Sequence, residues 1–106
     1  MKEYKVIEAP RVKKDIKKYV GYLRNVKMSV QAAQALFDDY RATKKRLANI
    51  AGSLPDPDSE ELKQRGLKRI NFVKHNYFFL FRINGDKVEI AAMFHGLEDY
   101  ENKLRW

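Results

Sequence analysis

The sequence predicts an α+β domain: an N-terminal strand, an antiparallel two-helix hairpin packed on a curved antiparallel sheet of about four strands, and a short C-terminal helix or arm. Three observations carry this. Residues 66–95 form three apolar runs broken at Lys74-His75-Asn76 and at Asn84-Gly85-Asp86. Asn-Gly between such runs is a strong hairpin cue, because a tight primed turn needs positive φ at its centre. Two segments ahead of them space their apolar residues as helices do. The chain of 106 residues is long enough for one core and too short for two, so 1–106 is a single domain.

The elements follow in order. Glu3–Glu8 alternates, with Tyr4, Val6 and Glu8 on one side and Lys5 and Ile7 on the other, and Ala9-Pro10 ends this strand. Pro10 suits the first turn of a helix, where its missing N–H costs nothing. Val12, Ile16, Tyr19, Val20 and Leu23 then mark an apolar stripe to about Asn25, opposite Lys13, Lys14, Lys17 and Lys18. Ser29 is a good N-cap for a second helix. Its stripe is Ala33, Leu36, Phe37, Tyr40, Thr43, Leu47 and Ile50, and Gly52 can end it. The short link makes the two helices antiparallel. The segment 53–61, SLPDPDSEE, reads as a surface loop.

Alternation sorts the three later strands into two faces. Ile70, Phe72, Tyr77, Phe79, Phe81, Ile83, Val88, Ile90, Ala92 and Phe94 form an apolar face that must lie against the helices. Arg69, Asn71, Val73, Phe78, Leu80, Arg82, Glu89, Ala91, Met93 and His95 form the other. That second face is too apolar for bare solvent, so a partner is expected to cover it through Phe78, Leu80, Met93 and Arg82. In the tail, Leu97, Tyr100 and Leu104 fall at helical spacing, and Trp106 ends the chain.

Composition narrows the function classes. There is no cysteine, which removes disulfides, thiol nucleophiles and Cys-based zinc sites. Two histidines without spaced carboxylates make no metal site, and no Gly-rich phosphate loop or Ser-His-Asp pattern implies a cofactor or hydrolase chemistry. The N-terminus has no apolar signal region and no run reaches membrane-spanning length, so a cytoplasmic protein without membrane partners is expected. The net charge is +8, and residues 1–50 hold 13 Lys and Arg against 5 Asp and Glu. A field of that sign on the helices attracts nucleic acid or an acidic protein.

The element order, the strand Arg69-Ile-Asn-Phe72, the aromatic strand Tyr77–Arg82 and the ending FHGLEDYENKL resemble the RelE/ParE superfamily of toxins of bacterial type II toxin–antitoxin systems. The resemblance covers nearly the whole chain. It implies a growth-inhibiting toxin neutralised by the tail of a cognate antitoxin in a hetero-oligomer. RelE-like members cleave mRNA on the ribosome without metal, through basic side chains on the concave sheet face; ParE-like members bind and block DNA gyrase. Matched onto this chain, Arg69 takes the place of the first basic strand residue, and Tyr100 that of a tyrosine near the C-terminus. Asn71 and Phe78 stand where Lys and Arg are common, and Leu97 and Glu98 occupy a loop where another Arg is frequent. The expected cation cluster is depleted, and charge stabilisation is usually the largest catalytic contribution at a phosphoryl centre.

A substitute cluster is nevertheless available. Arg69, Arg82 and His95 are assigned to one face, with Lys74 and His75 at its rim. In that metal-independent endoribonuclease, Arg69 and Arg82 hold phosphate, His95 moves the proton, and Tyr100 stacks on or donates to the substrate. The structural alternatives are a strand-end His95 bonded to a carbonyl or to Asp99, and an Arg69–Glu89 ion pair. Lys13, Lys14, Lys17 and Lys18 serve RNA docking, antitoxin docking or solvation alone. Three functions follow: a gyrase inhibitor or divergent translation inhibitor, a ribosome-dependent mRNA endonuclease, and a basic nucleic-acid-binding module without toxicity.

Overall fold

The computed structural model describes residues 3–96. The order is β1 (Lys5–Glu8), α1 (Pro10–Asn25), α2 (Val30–Ile50), a 3₁₀ turn (Ala51–Ser53), α3 (Glu60–Gln64), β2 (Lys68–Asn71), β3 (Tyr77–Asn84) and β4 (Lys87–His95). The α+β class is as the sequence predicts. Pro10 opens α1, and the Ser29 hydroxyl accepts from the Ala32 N–H to cap α2. At the β3–β4 turn Gly85 has φ +65°, while Asp86 stays in the negative-φ region. Glycine thus occupies the first of two central positions, the II′ arrangement. The tail that carries Leu97, Tyr100, Leu104 and Trp106 lies outside the described residues.

The four strands are ordered β1-β4-β3-β2. The meander β2–β3–β4 is antiparallel, but β1 runs parallel to β4, so the sheet is mixed where alternation alone suggested an antiparallel one. The reason is the helix hairpin: two helices bring the chain back to the end at which β1 began, and β4 closes against it in the same direction. Glu8 at the end of β1 ties the strand to α2. Its carboxylate accepts from the Tyr40 hydroxyl at 2.5 Å and pairs with Lys44. Burial, followed by the hydrogen bond and charge of Glu8, pushes the Tyr40 hydroxyl well above its ordinary value.

Two clusters sandwich the sheet. On the helix side, Val12 and Ile16 of α1 and Leu36, Tyr40 and Leu47 of α2 meet Ile70, Phe72, Phe79, Phe81, Val88, Ile90 and Met93. On the other side Leu62, Leu67, Phe78, Leu80, Ala91, Ala92 and Phe94 pack together. Leu62 comes from α3, whose first two residues, Glu60 and Glu61, lie in the segment 53–61 that the sequence predicts as a surface loop. Ser59 caps this helix by accepting from the Leu62 N–H, and Glu60 and Glu61 favour its first turn.

A one-residue irregularity reassigns half of β4. Leu80 pairs with Ala92 but Phe81 pairs with Ile90, so Ala91 is an extra residue opposite that step. This is a β-bulge, and beyond it the side-chain alternation inverts. Val88 and Ile90 face the helices as alternation predicts. Past the bulge Met93 enters the helix-side core, while Ala92 and Phe94 turn to the other cluster. The assignments of Ala92, Met93, Phe94 and His95 to faces are therefore all reversed.

Candidate interaction surface

The bulge decides the fate of the basic cluster. Arg69 pairs across the sheet with Leu80, and Arg82 with Glu89, on the face that α3 covers. His95 pairs with Tyr77 and meets its ring edge-on, with centroids 5.0 Å apart, on the helix face. Tyr77 in turn meets Tyr19 of α1 at 4.8 Å. The sheet therefore stands between His95 and the two arginines, which the sequence reading had grouped on one face. Tyr100 lies outside the described residues.

The arginines are also engaged. The Arg69 guanidinium lies 3.8 Å from the centroid of Phe78, and its Nε donates to the Asn71 side chain at 2.8 Å. Glu89 pairs with Arg82 at 3.9 Å, not with Arg69. A guanidinium stacked on a ring holds its plane against an apolar surface. In this molecule Arg69 caps the α3-side cluster.

Phe78, Leu80 and Met93, the side chains expected to meet a partner, are each 0–1% exposed. Phe78 and Leu80 share their cluster with Leu62 and Leu67, and Met93 lies in the helix-side core. The chain itself encloses the face that sequence reasoning left for a partner. What the reading lacked was α3.

Lys74 and His75 lie on the β2–β3 connection, and the residue that fixes them is Asp39 of α2. This carboxylate is 4% exposed. It accepts from the N–H of Val73 at 3.2 Å and of Lys74 at 2.9 Å, and from Nδ1 of His75 at 2.8 Å. An ionised carboxylate only accepts, so Nδ1 carries the proton. Burial pushes the Asp39 carboxyl up, but the His75 bond and the two backbone N–H groups outweigh it, and the net displacement is downward. Sequence reasoning missed Asp39, although it sits three residues after Leu36 and four before Thr43, on the buried stripe of α2. A carboxylate on an apolar stripe was the available signal.

Lys13, Lys14, Lys17 and Lys18 are exposed along α1. Between α1 and α2 runs a groove of about 430 Å³, lined by Ile16, Val20, Gly21, Ala33 and Phe37 with Lys17, Arg24 and Gln34 at its edges. Among the described residues no acidic side chain lines it. Toward the helix turn Met28 and Val30 are exposed, and Val30 falls on the Ala33–Phe37 stripe of α2 that lines the groove. Among the described residues no group of His, Asp and Glu is arranged to hold a metal, and no helix is long and apolar enough to cross a membrane.

No protein-family model matches the chain, and no curated protein matches it by sequence. A solved structure does: a chain of the chromosomal ParDE TA system from P. aeruginosa superposes with a TM-score of 0.73 at 15% identity, over 88% of this chain and 96% of that one. At that identity the likeness is one of fold. The α+β architecture, with its helix hairpin laid on a four-stranded sheet, is thus the fold of a ParDE toxin–antitoxin chain, in keeping with the RelE/ParE resemblance of the sequence.

Proposed function

We propose that this chain is the growth-inhibiting toxin of a type II toxin–antitoxin pair, that it acts in the cytoplasm by binding DNA gyrase as ParE-like proteins do, and that it cleaves no RNA. The observation that favours binding over cleavage is the separation of His95 from Arg69 and Arg82 by the sheet. Metal-independent cleavage needs a base at the 2′-OH, cations at the charged phosphorane and an acid at the leaving oxygen within one site. With Arg69 stacked on Phe78 and His95 against Tyr77, those roles have no common site among the described residues. The fold shared with a ParDE chain supports the same reading.

The antitoxin's place in this reading is the α1–α2 groove. Its floor is apolar and its charged edges are cationic, which suits an amphipathic helix with acidic flanks. Occupancy there holds the toxin in a hetero-oligomer.

The test is induction of the protein alone, with primer extension of cellular mRNA and a gyrase supercoiling assay run in parallel. Growth arrest, intact mRNA and lost supercoiling are expected. Codon-periodic cuts abolished by Arg69→Ala would overturn the gyrase assignment in favour of an endonuclease. Normal growth under strong induction would overturn toxicity and leave a basic binding module.

A further inference from the structure

Two residues at the hairpin end of the groove are chosen against the preferences of their own backbone. Gly21 lies inside α1, where glycine is the least favourable residue after proline. Nothing among the described residues requires it: its φ is not in the left-handed region, and of those residues an added Cβ would meet only the Asn25 amide, at 4.0 Å. Met28 presents the converse. It sits at φ +55° in the α1–α2 connection, a conformation that favours Gly or Asn, and it is the one described non-glycine residue with positive φ. Its side chain is 80% exposed. Glycine stands where any side chain would fit, and methionine stands where glycine would relieve the backbone.

Both reversals fall on one surface. Gly21 lines the groove opposite Ala33, and Met28 lies in the connection at the hairpin end of the same helix pair, two residues before Val30, which falls on the Ala33–Phe37 stripe of α2. Glycine allows the backbone of a ligand to come close. Methionine is a flexible apolar anchor that repacks against a partner. Lys17 and Arg24 supply the charge on the groove edge.

We infer that Gly21 and Met28 determine which helix this surface accepts: an amphipathic helix of a partner chain, acidic on its flanks, that crosses close over Gly21 and is gripped by Met28. The inference rests on the groove being the partner site of the proposed function, but it does not depend on toxicity. Both residues lower the stability of the isolated chain while raising affinity for the partner.

The probe is a displayed library of 20-residue amphipathic helices with randomised flanking charges, selected on the intact protein. Selected helices are measured by fluorescence anisotropy against wild type, Gly21→Ala, Gly21→Leu and Met28→Gly, with thermal unfolding of each protein alone. Recovered helices should carry acidic flanks. Gly21→Leu and Met28→Gly should each weaken them at least tenfold, and Gly21→Ala severalfold. Gly21→Ala should raise Tm by about 4–6 °C, as expected for removing a mid-helix glycine from a domain of this size, and Met28→Gly should not lower it. Helices that bind Gly21→Leu and Met28→Gly as tightly as wild type would overturn the inference, as would recovery of no binder or of basic-flanked binders. Growth arrest on induction is scored separately. Arrest without groove binding removes this inference alone, and groove binding without arrest removes the toxin reading alone.

Discussion

Asp39 is the residue on which the β2–β3 connection depends. It turns three donors inward, two backbone N–H groups and the His75 imidazole, and satisfies all of them with one carboxylate. Asp39→Ala leaves those donors facing the gap. The expected loss is about 2–3 kcal/mol, the range for stranding partners of a buried charged acceptor, or roughly 10–15 °C in Tm for a chain of this length. Urea unfolding at pH 7 checks it. The pH dependence has a fixed sign. The Asp39 carboxyl is held below its ordinary value in the fold, so its contribution is fully present above the unfolded-state pKa of about 4 and disappears as pH falls through the folded pKa. Asp39→Asn should therefore be less stable than wild type at pH 7, and the difference should close as pH falls through the folded pKa. A gap that stays constant over that range would assign the loop's position to packing rather than to the carboxylate.

At the scale of elements the bulge at Ala91 governs which side chains are core. Met93 tests it. Strict alternation puts Met93 on the face away from the helices, whereas the observed register buries it among Phe79, Phe81 and Ile90. Met93→Asp should cost on the order of 4 kcal/mol or more by burying an unpaired charge, while Met93→Leu should cost less than about 1.5 kcal/mol. Circular dichroism melts of the two variants measure both losses. The same bulge explains what the sequence could and could not convey. Both long helices were legible because their apolar residues repeat at helical spacing and because Pro10 and Ser29 mark their starts. The Gly85 turn was legible because only a few residue types tolerate its φ. A bulge at two adjacent alanines has no residue signature, since small side chains fit either face. Helix α3 left a faint one, Ser59 before Glu60 and Glu61, but five residues give no periodicity to read. The candidate site suffered most. Its face assignments needed the register of β4, and one inserted residue separated His95 from the arginines. The lysines of α1 needed no register, and their exposure follows directly from helical spacing.

Over the whole molecule the charge is unevenly held, and its placement works against local stability. Lys13 and Lys17, and Lys14 and Lys18, are like charges four residues apart on an exposed helix face. Each pair opposes α1 by a few tenths of a kcal/mol, the reverse of a favourable helix pair. Among the described residues, Lys18 of these four has a ring beside it, with its ammonium 5.4 Å from the Tyr19 centroid. Cations gathered on one layer can steer an acidic partner to that layer and raise its association rate. Replacing all four lysines by Gln removes four charges and halves the net +8. With gyrase as the proposed target, its association followed by stopped-flow fluorescence should slow by about 10-fold or more at low salt. At roughly 0.5 M salt, where screening shortens the reach of the field to a few ångströms, the variant and wild type should converge. The variant should also melt at the same temperature or slightly higher, because the repulsion in α1 has been relieved. A rate loss that persists unchanged at high salt would mean that these lysines form direct contacts in the complex, and an unchanged rate at low salt would show the α1 field to be solvation alone.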